Sequence, residues 1–384
     1  MELESAALKV RAVEFIALSV PLGTGKAYGM SKSLAAGRQS TLVRLTLEDG
    51  TAGYGEAWGM PAVNKAYLPF LSGYLEGCDV FDIEHAFGRI LARHYHFGLQ
   101  NGMMHAISGI DVAAKDAQGK LLGLSVARLL GGQRLRHVPI YASGGYMTQT
   151  PAADYRPQIE RMAEAGHKAV KIKIGLSPAS DEERMGIARE VLGDDVEILA
   201  DINTNYTYDI ALEAMERLKP FRPGWIEEPL CPQDLDGYGR LRARASLPIA
   251  AGEALYTVHD FKRLVECGGA DILQPDLSLC GGFWQGRKIA ELAHASHLRL
   301  SPHVWGGAVG LAAALHYIAS LPVFPHADNI PKPVLLEYDL GDNPLRTELL
   351  KSPIIVEGGC IAVPEGPGLG IEIDEEAVAR YAVD

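Results

Sequence analysis

The chain has 384 residues, 47% of them hydrophobic and 22% charged, with a net charge of −12 at pH 7. That composition describes a globular protein of about two domains with ample core. Its acidity argues against nucleic acid or an anionic membrane as the main partner. Five scattered cysteines, odd in number and without CxxC spacing, suit a reducing compartment better than a disulfide framework or a zinc site. No apolar run reaches membrane-spanning length, and residues 1–14 carry acidic groups in place of a leader's apolar core. A soluble cytoplasmic protein is expected.

Residues 10–20 and 40–47 are rich in β-branched and apolar side chains, and Glu48-Asp49-Gly50 supplies a turn before residues 51–58. The chain therefore opens as a small antiparallel sheet. Apolar residues then recur at three- and four-residue steps, which predicts helices over 66–75, 83–94 and 104–130, the last ended by Gly131-Gly132. Strands followed by helices describe an α+β domain, placed at residues 1–135. From residues 138–143 onward strand and helix alternate. Helices are predicted over 155–165, 181–192, 210–218, 235–243, 258–267, 283–296 and 310–318, seven between eight strand candidates. An α/β barrel over 136–350 follows, with one helix short or replaced after the last strand. β character returns over 354–357 and 359–363. This tail, 351–384, is too short to fold alone and is expected against the first domain. Two glycine-containing polar stretches, 21–37 with Tyr28 and 49–64 with Trp58, are candidate lids expected to meet the distal end of a substrate.

One polar group closes or closely follows strand after strand in the second half. Lys171-Ile172-Lys173 comes first, then Asp201, Glu227, Glu253, Asp276, His303 and Glu337. The gaps from Lys173 are 28, 26, 26, 23, 27 and 34 residues, differences of the residue numbers. A βα unit takes roughly 30 residues, and a barrel collects its catalytic groups at the strand C-termini. This spacing is the footprint expected of a barrel active site.

Asp201, Glu227 and Glu253 offer hard oxygens from consecutive strand ends, which suits Mg²⁺, with Mn²⁺ as the alternative. For any one of them a structural ion pair is the commoner outcome; for all three at barrel spacing it is not. Glu227 is preferred to Glu228 because alternation sends neighbours to opposite sides and Trp225 shares the face of Glu227. Asn203, two residues past Asp201, is expected to face the same way and to support the site as a candidate substrate contact. Lys171 and Lys173 both enter the barrel, where burial disfavours the charged form and makes lysine a usable base. Asp276, one strand before His303, can hold that imidazole in one tautomer and support its protonated form. Trp305, two residues past His303, is a further candidate substrate contact. Glu337 leaves several roles open: an edge salt bridge, a protonated contact to a substrate carboxylate, or a group orienting Lys171.

These residues, in order, resemble the enolase superfamily, in its mandelate racemase subgroup. The resemblance covers nearly the whole chain. It includes Ser108-Gly109-Ile110-Asp111, Gly119-Lys120, Leu129-Leu130-Gly131-Gly132, Lys171-Ile172-Lys173 and Asp201-Ile202-Asn203. Trp225-Ile226-Glu227-Glu228-Pro229, Gly252-Glu253, Gln274-Pro275-Asp276, Pro302-His303 and Pro367-Gly368-Leu369-Gly370-Ile371 complete it. It implies an α+β capping domain, completed by the C-terminal tail, on a modified TIM barrel of (β/α)7β form. It implies Asp201, Glu227 and Glu253 as Mg²⁺ ligands, and Lys173 and His303 as bases on opposite faces of the substrate. Lys171 becomes an electrophile beside the substrate carboxylate and Asp276 the partner of His303. Residues 272–283, His303-Val304-Trp305-Gly306 and Glu337-Tyr338-Asp339 look closest to acid-sugar enzymes such as galactarolactone cycloisomerases.

The implied chemistry is removal of the proton α to the carboxylate of a small hydroxy acid, an acid sugar or its lactone, through an enediolate. Dehydration or cycloisomerisation ranks above racemisation or epimerisation, because hydroxyl-bearing substrates offer a β leaving group. A homo-oligomer is expected. Two rivals remain: a metal-dependent hydrolase, which leaves the lysine pair without a task, and a non-catalytic binding protein on the same fold, which needs neither base.

Overall fold

The computed structural model describes residues 8–322 and 332–383. Strands Val10–Pro21, Gly37–Leu47 and Ala52–Ala57 pair antiparallel in that order. Their alternation buries Val13, Phe15, Val43 and Leu45 against helices Pro61–Leu75, Ile83–Arg93 and Gly102–Leu122. The third strand lies almost backbone to backbone on the last of these helices. A Cβ on Gly53 would sit 2.0 Å from the Ala113 carbonyl oxygen, and one on Gly55 1.9 Å from that of Gly109. Residues 49–64 are therefore mostly a packed strand and a helix start, and only Trp58 and its neighbours are left to reach the barrel. The helix predicted over 104–130 stops at Leu122, because Gly123 turns left-handed at φ 66 and its N–H returns to the Gly119 and Lys120 carbonyls.

Eight parallel strands form the second unit: His137–Gly144, Ala169–Lys173, Glu197–Asp201, Ile226–Glu227, Ile249–Ala251, Ile272–Leu273, Arg299–Leu300 and Leu336–Asp339. They follow one another around the sheet in chain order, with the last beside the first. Among the described residues seven helices, from Pro151–Glu164 to Ala308–Ser320, separate them, and one turn, Pro344–Thr347, follows the last strand. The form is (β/α)7β. Between the seventh and eighth strands side chains take the place of a backbone ladder. Ser301 Oγ donates to the Leu335 carbonyl at 3.0 Å, and Glu337 Oε2 accepts from the Val304 N–H at 3.2 Å.

Alternation along these strands builds the site. Val170, Ile172, Ile198, Ala200 and Ile226 point outward into the packed helices. Tyr141, Ala169, Leu199, Trp225, Ala250 and Ile272 form an apolar floor inside the barrel. Two residues further along the same inward faces come Lys171, Asp201, Glu227 and Gln274, so a charged layer rests directly on that floor.

The tail runs back across both units. Cys360–Ala362 pairs antiparallel with His137–Gly144, Gly368 bridges to Ser125, and Ala382 bridges to Leu18 of the first strand. Residues 354–357 make no strand beyond the Glu357–Cys360 bridge. The helix Glu375–Tyr381, which the periodicity did not suggest, is capped by Asp374 and held by an Arg44–Glu375 ion pair. No described helix is long and apolar enough to cross a membrane, and residues 1–7, where no leader is expected, lie outside the described residues.

The close strand–helix contact is testable. Gly55→Ala drives a methyl into a helix carbonyl and lowers unfolding free energy by about 2–3 kcal/mol. Gly73→Ala, on an exposed helix face with nothing within 4 Å, is neutral or raises it by up to about 1 kcal/mol. Urea unfolding of both variants checks the contrast; equal effects contradict the packing.

Candidate active site

Lys171 is fully buried, its Nζ against Glu227 Oε1, 2.8 Å from Glu337 Oε1 and 3.7 Å from Asp201 Oδ2. Its ammonium also lies over the Tyr141 ring. Lys173, one step nearer the mouth, pairs with Asp201 Oδ2 at 2.6 Å. Glu227 Oε2 accepts from Trp225 Nε1 at 2.9 Å and from Gln274 Nε2 at 2.7 Å, so Trp225 and Glu227 do share the inward face. His303 Nδ1 meets Asp276 Oδ2 at 2.8 Å, while Nε2 points toward Glu253 Oε2 at 3.5 Å and Glu337 Oε2 at 3.8 Å. Ser278 donates from both N–H and Oγ to the other Asp276 oxygen, so the carboxylate is held from two sides. The eight residues singled out on the barrel strands thus form one connected cluster.

The electrostatics differ in part from the sequence expectation. Burial alone pulls both ammonium groups toward neutrality, but Glu227 and Glu337 around Lys171, and Asp201 beside Lys173, outweigh it and hold both lysines above their usual range. Lowered lysines were expected because burial was weighed without these contacts. Burial raises Glu227 to about 7, and the surrounding carboxylates add to it. For His303 burial works downward, yet Glu253, Glu337 and Asp276 push it up to about 10. Glu337 is held below the ordinary carboxylate range by Lys171, His303 and Lys173, against burial. Of the roles open to it, the geometry shows the ion pair with Lys171, at 2.8 Å.

Two neighbours behave unlike plain alternation. The fourth strand ends at Glu227, and Glu228 takes φ 40. Glu228 is therefore buried at the same cluster, pushed well up by burial and then by Glu253, Asp201 and Glu227. Asn203 also lies past its strand, at φ 51, where its N–H donates to Asp201 Oδ1 at 2.8 Å and its buried Oδ1 has no partner.

Asp201, Glu227 and Glu253 each offer an oxygen within 4.8 Å of the others, and Glu253 Oε2 is buried without a hydrogen-bond partner. Hard oxygens, crowded negative charge and an unpartnered acceptor fit a Mg²⁺-type cation. Such an ion, if held by these oxygens, would compete with Lys173 for Asp201 and with Lys171 for Glu227, and so would lower the electrostatic support that keeps both lysines charged.

The mouth is walled by the capping unit. The Trp58 ring meets His303 edge-on at 5.8 Å and lies 6.3 Å from Trp305. Arg38 is buried between Asp339, the Tyr28 hydroxyl and the Trp305 ring, 4.2 Å from the ring centre. The Tyr28 hydroxyl donates to the Asp342 carbonyl at 3.1 Å, and Tyr146 bonds the other Asp339 oxygen. Tyr28 is thus a wall residue with its polar end already engaged. Its short strand, Tyr28–Gly29, pairs with Met147–Thr148 beyond the first barrel strand, and Lys32 reaches Thr204. Residues 21–37 therefore cross the mouth.

Sequence reasoning missed Gln274, Arg38 and Glu56, and it set Glu228 aside in favour of Glu227. Gln274 was accessible, since it shares a face with Asp276 two residues on. Glu228 depended on a strand end that no pattern marks. Arg38 and Glu56 come from the other unit, outside the barrel spacing.

Residues 154–377 match the enolase C-terminal domain-like family, and residues 26–131 match the mandelate racemase / muconate lactonizing enzyme N-terminal domain. The chain belongs to the mandelate racemase/muconate lactonizing enzyme family of the enolase superfamily. It is 37% identical to a D-galactarolactone cycloisomerase of Agrobacterium fabrum, over 90% of this chain and 91% of the relative. It is 33% identical to a D-galactonate dehydratase of Ralstonia pickettii, over 88% and 89%. A racemase structure from Streptomyces coelicolor A3(2) with bound magnesium superposes with a TM-score of 0.86 at 30% identity, covering 97% of this chain and 100% of that one. Family members are lyases and isomerases, and the acidic triad here fits the Mg²⁺ site of the superfamily.

The dyad predicts a pH signature in chelator-treated protein. A histidine raised from 6.5 to about 10 on folding adds stability that is full below about pH 6.5 and is lost as pH rises through 10. The melting-temperature advantage of the parent over His303→Asn therefore shrinks between pH 6.5 and 10. A constant difference across that window contradicts a charged imidazole in the fold.

Proposed function

We propose that this protein removes the proton α to the carboxylate of an acid sugar or its lactone and then expels a β-oxygen, giving dehydration or cycloisomerisation. The observation that carries this reading is the His303–Asp276 pair, with its free imidazole edge turned toward Glu253 and Glu337. On the second strand stand two lysines, Lys171 buried and Lys173 with 12% of its side chain exposed. Asp201, Glu227 and Glu253 would hold Mg²⁺, and Mn²⁺ would substitute at the same oxygens. When bound, the ion supplies positive charge against the dianionic carboxylate that proton loss creates.

The chain's own groups supply the remaining steps. Lys173 Nζ, nearer the mouth, takes the α-proton when the substrate presents that face. Lys171, oriented by Glu337, lies behind it as a fixed positive charge for the developing negative oxygen. His303, charged through Asp276, Glu253 and Glu337, has a proton on Nε2 to give to the departing β-oxygen. For the opposite α-configuration His303 would take the α-proton in its neutral form and the charged Lys173 would give the proton to the departing oxygen. The Trp58, Trp305 and Arg38 wall bounds the distal end of the substrate and keeps water from the reacting carbon. A β-hydroxyl leaving gives a dehydrated acid; a ring oxygen leaving opens a lactone. The names of the relatives, D-galactarolactone cycloisomerase and D-galactonate dehydratase, support both outcomes. Where no β-oxygen leaves, return of the proton from the far side gives epimerisation with the same residues.

Separate variants test the two faces. With D-galactarolactone and D-galactonate in deuterated water containing Mg²⁺, Lys173→Ala and His303→Asn each lower turnover at least about 100-fold. For a single α-configuration only one of them abolishes α-deuterium incorporation. Asp276→Asn follows His303→Asn more mildly, because it removes only support of the imidazole. Unchanged turnover and exchange in His303→Asn means the dyad is structural and overturns this reading.

A further inference from the structure

The loop that carries His303 is held from outside the barrel. Glu56, on the capping strand Ala52–Ala57, is buried, and its two oxygens span the start of the helix Ala308–Ser320 that follows the loop. Oε1 accepts from the Gly307 N–H at 2.6 Å and from Ser40 Oγ at 2.7 Å; Oε2 accepts from the Gly310 N–H at 2.8 Å. A carboxylate there satisfies amides that a helix start leaves unpaired and meets the positive end of the helix dipole. The sequence makes room for it. A Cβ on Gly306 would lie 2.7 Å from Glu56 Oε1, and Cβ atoms on Gly307 and Gly310 would each lie 3.2 Å from the carboxylate. Three glycines within seven residues of His303 thus shape a seat for a side chain from the other unit.

The same strand end reaches the other half of the dyad. The Trp58 N–H, two residues past Glu56, donates to the Ser278 carbonyl at 3.0 Å, and Ser278 in turn holds Asp276. On the far side of the loop Asn343 Nδ2 and Arg346 Nη2 donate to the Gly306 carbonyl at 3.0 and 2.9 Å. The stretch from His303 to Gly307 is therefore pinned at Gly306 by the barrel and at Gly307 by the cap. Trp58 and Arg38 of the cap meet the rings of His303 and Trp305, but among the described residues Glu56 is the cap side chain that hydrogen-bonds to the backbone of this stretch.

We propose that Glu56 is a positioning residue for His303: it fixes the loop 303–307 from the capping domain and so sets the imidazole against Asp276 and the substrate. The proposal rests on the role of His303 given above. Glu56 touches neither the carboxylate triad nor the lysines by any contact described, so its effect is confined to the histidine side. A misplaced catalytic group costs on the order of 10–100-fold in rate.

Glu56→Gln keeps size and turns one arm into an NH₂ that faces an amide N–H. The first readout needs no substrate. Hydrogen–deuterium exchange followed by mass spectrometry is expected to rise at least about tenfold in the peptide spanning residues 303–311, while residues 169–175 keep the parent rate. The second uses D-galactarolactone and D-galactonate with Mg²⁺ in deuterated water. Glu56→Gln is expected to reproduce whichever loss of turnover or α-exchange His303→Asn shows, at smaller amplitude, and to add nothing in the Glu56→Gln/His303→Asn double variant. Calorimetric Mg²⁺ titration is expected to give unchanged affinity. Should Glu56→Gln fail to fold, Ser40→Ala, which removes one of the three donors to Glu56, shows the same pattern more weakly. Unchanged exchange in 303–311, or losses that add fully to those of His303→Asn, overturns the proposal. If His303→Asn itself has no effect on chemistry, the role of the dyad falls, while the hydrogen-exchange arm still reports whether Glu56 holds the loop.

Discussion

Everything at the barrel mouth is organised by an excess of negative charge that the fold confines there. Six carboxylates, Asp201, Glu227, Glu228, Glu253, Asp276 and Glu337, face the three basic groups Lys171, Lys173 and His303. All six except Glu253 are buried. Taking such charges out of water costs several kcal/mol per ion unless each is well paired. The pairing is incomplete: Glu227 and Glu228 are pushed upward, and Glu253 Oε2 has no hydrogen-bond partner, with His303 Nε2 3.5 Å away. A divalent cation held by the triad would relieve this imbalance and at the same time would take carboxylate partners from the lysines. One constraint therefore accounts for both the metal fit and the means of bringing a buried lysine toward its base form.

Two architectural features hold that layer in place. Strand alternation sets the charged groups directly above an apolar floor of Tyr141, Leu199, Trp225 and Ile272, so they cannot sink into the core. The second feature is the capping unit, whose Trp58, Arg38 and Glu56 wall the mouth or seize the loop behind it. Arg38 is fully occupied by Asp339, Tyr28 and the Trp305 ring. It acts as a rigid wall whose charge is already matched, and that wall is built from both units.

The barrel and its strand-end chemistry were legible because both are periodic. Spacings of 23 to 34 residues reported one polar group per βα unit, and Lys171, Asp201, Glu227, Asp276, His303 and Glu337 do converge. What escaped was whatever depends on where a strand stops or on contact between units. Glu228 and Asn203 turn at positive φ just past their strands, so alternation put one on the wrong side and the other on a strand that had ended. The lysine shifts had the wrong sign because burial is visible in an apolar run, whereas the ion pair with Glu227, 56 residues away, is not. Residues 49–64 looked like a lid for a similar reason. Gly53 and Gly55 signal close packing on a helix, and sequence alone does not distinguish that use of glycine from a loop.

The account stands or falls on carbon-acid chemistry that requires the triad. The most direct measurement is α-deuterium incorporation, read by mass spectrometry, when the parent protein is incubated with hexarates, their lactones and aldonates in deuterated water. The account predicts incorporation or a deuterium-marked product from at least one acid sugar with Mg²⁺ present, and none with chelator or in the Glu253→Gln variant. Turnover of such an acid without α-exchange, or exchange that persists in chelator, would contradict it.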